Sequence, residues 1–242
     1  MKHVLVTGGA GGIGSAIVKA FIENGCFVYI VDTDAVAAEA LAAQYGAEWC
    51  EAVVLDVTDA EAIARYTATL GGEFVLDHIV TLAGRALAGE WELFEEQSLE
   101  TIQGSIQLNL LGHIQIVHAF LPYLKRGEGD KSVALISSIN AMENFGLPVY
   151  SAAKAGLAGF MYGVMGEFGK AGIRINTISP GTVITPATQN EPKDFEKLLD
   201  TTALHRFVTA EDVAQLVYAV CNDFVSMTGQ NVVLDAGQSK IH

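Results

Sequence analysis

The sequence predicts an α/β fold in which helices cover both faces of a parallel, doubly wound sheet of about seven strands. Short apolar runs, which are typical of buried strands, alternate with segments of helical length throughout the 242 residues. Hydrophobic residues make up 50% of the chain and charged residues only 17%, so the chain can fill a large core. Because no repeat, low-complexity tract or linker interrupts the alternation, we expect one domain over residues 1–242.

Four strands are predicted in the first half of the chain. Glycine or asparagine residues end the helices between them, and Thr58 or Asp59 can cap the third of these helices. The strands are predicted at residues 3–6, 26–31, 49–55 and 76–82, and the helices end near residues 24, 45 and 70. Helical connections of this length imply right-handed crossovers, which bring the carboxyl ends of parallel strands to one edge of the sheet.

The second half continues the alternation but contains two less regular segments. Residues 85–99 carry four acidic residues that we expect to be solvated surface (Glu90, Glu92, Glu95 and Glu96). Residues 187–208 form a polar excursion that we expect to act as a lid, with a short helix over residues 194–199. The remaining strands are predicted at 133–138, 173–178 and 231–234, and the remaining helices at about 99–124, from Tyr150 to about 170, and at 210–220.

The first predicted strand runs into a glycine-rich turn, Thr7-Gly8-Gly9-Ala10-Gly11-Gly12-Ile13-Gly14, which opens the first helix. Glycines allow the backbone to turn tightly and to approach a pyrophosphate, which binds at a helix N-terminus. Asp32 ends the second strand 18 residues after Gly14, where its carboxylate is placed to accept hydrogen bonds from an adenosine ribose. Ser15 and Thr33 offer no cation for a 2′-phosphate. This unit therefore predicts a Rossmann-type nucleotide site that prefers NAD to NADP.

Tyr150 and Lys154 are spaced i, i+4, so a helix places both side chains on one face, one turn apart. Tyrosine has a pKa of about 10 in water, and a neighbouring cation lowers that pKa by favouring the phenolate. The pair can then donate and accept a proton near neutral pH. A serine at the end of the preceding strand can hold the same substrate oxygen, and because strand side chains alternate, only one of Ser137 and Ser138 points into the cleft.

Residues suited to binding or chemistry follow several of the predicted strands. Those at or just after strand ends are Gly14, Asp32, Asp56, Gly84 and Ser138. In doubly wound sheets, ligands bind beyond the carboxyl ends of the strands, where the strand order reverses. The sequence therefore predicts one ligand site at this edge.

Charge and composition exclude several classes of function. The formal net charge of −14 disfavours nucleic acid and anionic membrane surfaces as partners, because both require a basic surface. We find no apolar run long enough to span a membrane and no room for a signal peptide before the first strand. Three scattered cysteines, Cys26, Cys50 and Cys221, indicate a reducing compartment, and the histidine spacing predicts no metal site. We expect a soluble cytoplasmic protein.

The glycine-rich turn, Asn109, Ser138, Tyr150 and Lys154, in this order, resemble the motifs of the short-chain dehydrogenase/reductase family. The resemblance spans essentially the whole chain and implies Tyr150 as catalytic acid/base, assisted by Lys154, with Ser138 orienting the substrate. It implies that Asn109 supports a water linked to Lys154, and it suggests a homotetramer, or alternatively a homodimer. The nicotinamide cofactor would be held by Gly8, Gly12, Ile13, Gly14, Asp32, Asp56, Val57, Ala83, Gly84, Tyr150, Lys154, Pro180, Gly181, Val183 and Thr185.

The sequence departs from the usual family motif after the fourth predicted strand. The family usually has Asn-Asn-Ala-Gly where this chain has Thr81-Leu82-Ala83-Gly84, which removes two amides beside the cofactor.

We expect an NAD-dependent oxidoreductase that interconverts a medium-sized secondary alcohol and a ketone. The alternatives are a 3-oxoacyl-thioester reductase, which Asp32 disfavours, and a non-catalytic sensor of the cofactor. Candidates for the pocket wall are residues of the 187–208 lid together with Arg85, Ile139, Asn140, Met142, Phe145 and Val149.

Overall fold

A computed structural model describes residues 1–186, 188 and 194–240. Its described part contains a seven-stranded sheet in the order β3-β2-β1-β4-β5-β6-β7, and all neighbouring strands are parallel. This confirms the predicted fold class and strand number. The strands are β1 (His3–Thr7), β2 (Phe27–Asp32), β3 (Cys50–Val54), β4 (His78–Thr81), β5 (Lys131–Ile136), β6 (Ile173–Pro180) and β7 (Asn231–Leu234).

Helices cover both faces of the sheet. They are α1 (Gly12–Glu23), α2 (Ala35–Tyr45), α3 (Ala60–Thr69), α4 (Leu99–Ile106), α5 (Gly112–Arg126), α6 (Pro148–Lys170), α7 (Phe195–Leu199) and α8 (Ala210–Asn222). The apolar faces of α1, α2 and α8 pack in one core, whereas α3, α5 and α6 pack in a second core on the opposite face. The strands separate the two cores, which explains why β4, β5 and β6 are buried along their whole length.

The strand order reverses between β1 and β4, the two central strands. From β1 the chain moves outward through β2 to β3, and it then returns to β4 and continues outward in the other direction. The loops after β1 and β4 consequently diverge and leave a crevice at the carboxyl ends of the strands. This reversal determines where a ligand can enter.

The predicted long helix at 99–124 is interrupted in the structure. A wider π-helical turn at Gln107–Leu111 joins α4 to α5, and this turn carries the fully buried Asn109. Such turns leave the register of the following helix shifted and are frequent at functional sites. The predicted lid lies partly outside the described residues, at 187 and 189–193, but its predicted short helix is present as α7, with Asp194 as N-cap.

Arg174, near the start of β6, connects this strand to the residue before β5, to the end of α8 and to the loop after α8. Its buried guanidinium forms a bidentate pair with Asp130, with N–O distances of 2.8 and 2.6 Å, and donates to the carbonyls of Val220, Cys221 and Met227. Burial alone would raise the pKa of Asp130, but the Arg174 hydrogen bonds and charge outweigh it and lower that pKa below 3.8. The pair therefore stabilises the folded state at pH values above the ordinary pKa of aspartate. This stabilisation is lost as the pH falls through the lowered pKa of Asp130 in the folded state.

We expect Arg174→Met to lower the free energy of unfolding by about 3 kcal/mol, because it leaves Asp130 and the carbonyls of Val220 and Cys221 without their donor. The Met227 carbonyl still accepts from Asn176 at 2.9 Å. Thermal unfolding should show a decrease in Tm of roughly 6–12 °C for a domain of this size. The matched control is Arg65→Met, since Arg65 forms exposed ion pairs at 3.6 and 3.9 Å and should change stability by less than about 0.5 kcal/mol. Equal Tm values for both variants would contradict this account of Arg174.

Candidate active site

A cleft of about 910 Å³ opens at the carboxyl ends of the strands, beside the reversal of strand order. All of the predicted site residues except Asn109 line it. Of the predicted wall residues, Arg85, Ile139, Asn140 and Phe145 also line the cleft, whereas Met142 and Val149 do not. From the predicted lid, Phe195 and Leu198 line the cleft as well. Lining residues that the sequence analysis did not single out include Trp91, Leu147 and Gln238.

The glycine-rich turn forms one end of the cleft. Gly8 adopts a left-handed conformation, with φ of +67°, and a Cβ atom at Gly14 would overlap the carbonyl oxygen of Gly8. A Cβ atom at Gly12 would lie only 2.8 Å from the Thr185 side chain. Gly11 is the N-cap of α1 and offers no side chain to its first amides, which remain available at the cleft. These features fit a pyrophosphate at this helix N-terminus.

Asp32 lies beside this turn with its carboxylate held by two backbone amides. Oδ2 accepts from Ala10 at 3.0 Å and Oδ1 accepts from Asp34 at 3.1 Å. Asp56, at the next strand end, instead accepts both the amide and the hydroxyl of Thr58, at 2.8 and 2.7 Å. Asp32 is therefore oriented by the glycine-rich turn itself, and the site fits the adenosine half of a nicotinamide dinucleotide.

Tyr150 and Lys154 lie one turn apart on α6. The Lys154 Nζ is 5.8 Å from the centre of the Tyr150 ring and donates to the Ile136 carbonyl at 2.9 Å. Burial lowers the pKa of Lys154 to about 7. The second half of the cleft thus contains a phenol beside a buried amine whose charge depends on its few polar contacts.

The structure distinguishes the two serines that follow β5. The Ser137 hydroxyl donates to the backbone carbonyl of Lys154 at 2.9 Å, which engages it with α6. The Ser138 hydroxyl is half-buried and exchanges hydrogen bonds with Asn140, accepting from the backbone amide and donating to Oδ1, both at 3.2 Å. Ser138 is therefore the serine better placed to meet a bound molecule, to which its single O–H can donate once it has left Asn140 Oδ1.

Asn109 is buried behind the cleft and does not line its wall. Its Nδ2 donates to the Arg85 carbonyl at 2.9 Å and lies 3.3 Å from the Ser105 hydroxyl. Its Oδ1 is buried and has no hydrogen-bond partner in the described part of the chain. A Cβ atom at Gly84 would lie 2.6 Å from this oxygen and 3.2 Å from the Lys154 Nζ, so both polar groups face the Gly84 backbone.

The departure at Thr81-Leu82 is accommodated by two other residues. The Thr81 hydroxyl lies 2.7 Å from Nδ1 of His113, on the first turn of α5. The amides of Leu82 and Ala83 donate to the Thr7 hydroxyl at 3.0 and 3.2 Å, and the Leu82 side chain packs against the core. Sequence reasoning missed His113, because its partners are distant in sequence and a lone histidine carries no local signal.

Glu90 corrects one sequence prediction. It was expected to be solvated, but it is 2% exposed, and its carboxylate accepts from the amides of Leu87 and Tyr150, at 2.9 and 2.7 Å. The N-cap of α6 is Leu147, which has a left-handed backbone, with φ of 54°, and forms no side-chain cap. Glu90 thus supplies from another segment the acceptor that this helix start lacks.

Two comparisons identify the family. A sequence model described as enoyl-(acyl carrier protein) reductase matches residues 8–239. The dehydrogenase/reductase SDR family member 6 of Rattus norvegicus is 32% identical over 98% of this chain and 97% of its own length. This chain belongs to the short-chain dehydrogenase/reductase family. It is therefore an oxidoreductase of a family that binds nicotinamide cofactors.

Two further relatives illustrate what this short-chain dehydrogenase/reductase is similar to. A probable galactose dehydrogenase of Rhizobium meliloti is 29% identical over 98% of this chain and 94% of its own length. The crystal structure of a 3-oxoacyl-(acyl-carrier protein) reductase with bound NAD from Brucella melitensis is 25% identical, with a TM-score of 0.88. That alignment covers 98% of this chain and 91% of the other.

Across residues 1–186, 188 and 194–240, no group of three His, Cys, Asp or Glu side chains could hold a metal ion. No helix within those same residues is both long and apolar enough to cross a bilayer.

We expect Glu90→Ala to destabilise the protein by about 2 kcal/mol, because two partly buried amides lose a charged acceptor. The corresponding decrease in Tm is roughly 4–8 °C. Glu92→Ala is the matched control, since Glu92 is a nearby exposed carboxylate. If both variants unfold at the wild-type temperature, Glu90 is not a necessary acceptor for the start of α6.

Proposed function

We propose that this protein is an NAD-dependent oxidoreductase that interconverts a secondary alcohol and a ketone by hydride transfer. The observation that carries the proposal is the convergence of Ser138, Tyr150 and Lys154 in the same cleft as the glycine-rich turn and Asp32. A cofactor lying along the cleft would extend from Asp32 to Tyr150. NAD, when bound, supplies the hydride chemistry.

Each side chain has a distinct proposed task at the substrate. The Ser138 hydroxyl donates a hydrogen bond to the substrate oxygen and fixes its position. Tyr150 takes the proton of an alcohol or returns it to a ketone oxygen, while the hydride leaves or reaches the carbinol carbon. The Lys154 ammonium, 5.8 Å from the Tyr150 ring, stabilises the phenolate form electrostatically.

The remaining residues are proposed to hold the cofactor and the cleft. Val183, through its backbone, and Thr185 would bind the nicotinamide carboxamide, and Asp32 would bind the adenosine ribose. Asn109 donates to the Arg85 carbonyl and so fixes the loop after β4 against the π-helical turn. The other residues proposed to contact the cofactor are Gly8, Gly12, Ile13, Gly14, Asp56, Val57, Ala83, Gly84, Pro180 and Gly181.

The wall near Tyr150 supports a medium-sized substrate with an apolar portion. Ile139, Phe145 and Leu147 line this end of the cleft, and Arg85 is an exposed cation at its margin. The similarity to a probable galactose dehydrogenase supports a polyol or sugar as one candidate class. The similarity to a 3-oxoacyl-(acyl-carrier protein) reductase with bound NAD supports a 3-oxoacyl thioester as the alternative. Cytoplasmic location and a homotetrameric or homodimeric state remain predictions.

The decisive experiment is NAD reduction against a panel of secondary alcohols, hydroxy acids and sugars, with Tyr150→Phe as the test variant. We expect kcat to fall by about 10²–10⁴-fold in the variant, because the proton acceptor is lost. NADH binding and Tm should be retained, which excludes unfolding as the cause. Turnover by the Phe variant within tenfold of wild type would refute the assigned role. NADH binding without turnover by the wild type on any substrate, 3-oxoacyl thioesters included, would favour the sensor hypothesis.

We expect the wild type to prefer NAD to NADP, because the Asp32 carboxylate repels a 2′-phosphate. Asp32→Asn removes the charge and should raise the NADP/NAD ratio of kcat/KM by roughly tenfold, equivalent to about 1.4 kcal/mol. Asp34→Asn is the control, since Asp34 caps α2 by accepting from Ala37 at 3.0 Å and asparagine caps equally well. A wild-type preference for NADP would contradict the role of Asp32.

A further inference from the structure

His113 links three elements behind the catalytic cleft and has no task in the proposed mechanism. It lies on the first turn of α5 and is 2% exposed. Its Nδ1 is 2.7 Å from the Thr81 hydroxyl on β4, and its Nε2 is 3.4 Å from the Lys154 Nζ on α6. The imidazole is therefore the side chain that connects the altered motif at Thr81 with the buried amine.

The surroundings of His113 fix its protonation state. Burial, and then the charge of Lys154, keep the pKa of His113 well below its ordinary value, so the ring is neutral. Backbone groups of Ala83 and Thr81 act in the opposite direction but do not reverse the shift. A neutral imidazole has one N–H and one lone pair. In the tautomer in which Nδ1–H donates to the Thr81 hydroxyl, the lone pair of Nε2 faces the Lys154 Nζ.

The Lys154 ammonium has three N–H donors, and because the side chain is buried, these donors require acceptors within the protein. The Nε2 lone pair of His113 is one such acceptor. One donor is taken by the Ile136 carbonyl at 2.9 Å, from β5. The described groups that face Nζ from the other elements are His113 on α5, the Tyr150 ring on α6 and Asn109 on the π-helical turn. If His113 accepts the second donor, one N–H remains for the cleft.

We propose that His113 is a positioning residue of this active site, whose imidazole, oriented by Thr81, accepts a hydrogen bond from the Lys154 ammonium and holds that charge beside Tyr150. The inference rests on the proposed role of Lys154 in catalysis. It also gives a physical account of the Thr81-Leu82 departure, because a threonine hydroxyl at this place can accept the Nδ1–H and set the tautomer.

Three substitutions separate this role from simple packing. The side-chain amide of His113→Gln can reach the former Nε2 position and still accept from Lys154. His113→Asn reaches only the Nδ1 position, so it keeps the Thr81 contact but not the Lys154 contact. His113→Leu removes both contacts at similar volume. His118→Gln is the control, because His118 is exposed on the same helix.

The first readout is the titration of Lys154 in the ligand-free protein. It is followed by the NMR shift of Cε in ¹³C-lysine-labelled protein, with Lys154→Arg to assign the signal. A hydrogen bond to the charged form favours that form, so the midpoint should move to lower pH by about one pH unit in the Leu and Asn variants. The Gln and His118 variants should titrate like the wild type. Unchanged midpoints in both the Leu and Asn variants, or an equal shift in the Gln variant, would overturn the proposal.

The second readout is the pH profile of kcat with the substrate found by the panel. Loss of the Lys154 proton removes the charge that stabilises the Tyr150 phenolate, so the alkaline limb should move to lower pH in the Leu and Asn variants. At neutral pH, kcat should fall about tenfold with KM within twofold, and the Gln variant should recover most of the loss. Parallel changes in kcat and KM with an unmoved alkaline limb would overturn the proposal.

If the wild type turns over no substrate, the proposed function fails, while the titration of Lys154 still tests its contact with His113. Should the Leu variant not fold, the Asn variant decides alone.

Discussion

The central constraint of this structure is the burial of a lysine amine. Lys154 is 2% exposed, and the dominant influence on its pKa is the desolvation of its ammonium group. The Ile136 carbonyl, the Nε2 of His113 and the Tyr150 ring provide its polar surroundings. An ammonium ion held by neutral dipoles is easily deprotonated, so small changes in these contacts control how long the charge persists as the pH rises. The site therefore depends on the elements that fix those three partners.

Those elements are brought together by the parallel sheet. Ile136 ends β5, Thr81 ends β4, and both strands deliver their carboxyl ends to the edge where α5 and α6 pass. Ser137 adds a second connection, because its hydroxyl donates to the backbone of Lys154 itself. Glu90 holds the start of α6 through the amide of Tyr150. The two ends of the Tyr150–Lys154 turn are thus fixed independently, one by a loop and one by the sheet, which limits how far phenol and amine can separate.

Sequence reasoning found the parts of the site that are encoded locally. The spacing of Tyr150 and Lys154, the glycine-rich turn and Asp32 are short-range patterns, and the structure places all of them in one cleft. Local patterns could not find Glu90 or His113, because the first looks like any surface acid and the second like any lone histidine. Their partners lie 60 and 41 residues away in sequence. The π-helical turn at Asn109 was missed for a related reason: its residues favour an ordinary helix, and its contacts with α6 join segments that are distant in sequence.

The Thr81-Leu82 departure shows how one change in the core is compensated by several residues. An amide side chain at residue 81 would need both a donor and an acceptor, whereas a threonine hydroxyl needs a single directed partner, which His113 provides at 2.7 Å. Leu82 makes no polar contact of its own, and its backbone amide is instead taken by the Thr7 hydroxyl. The polar contacts of this segment are thus made with Thr7 on β1 and with His113 on α5. Because a buried hydroxyl or imidazole left without a partner is costly, Thr81 and His113 stabilise the fold only as a pair. Their proximity to Lys154 then makes this structural pair part of the electrostatic environment of the site.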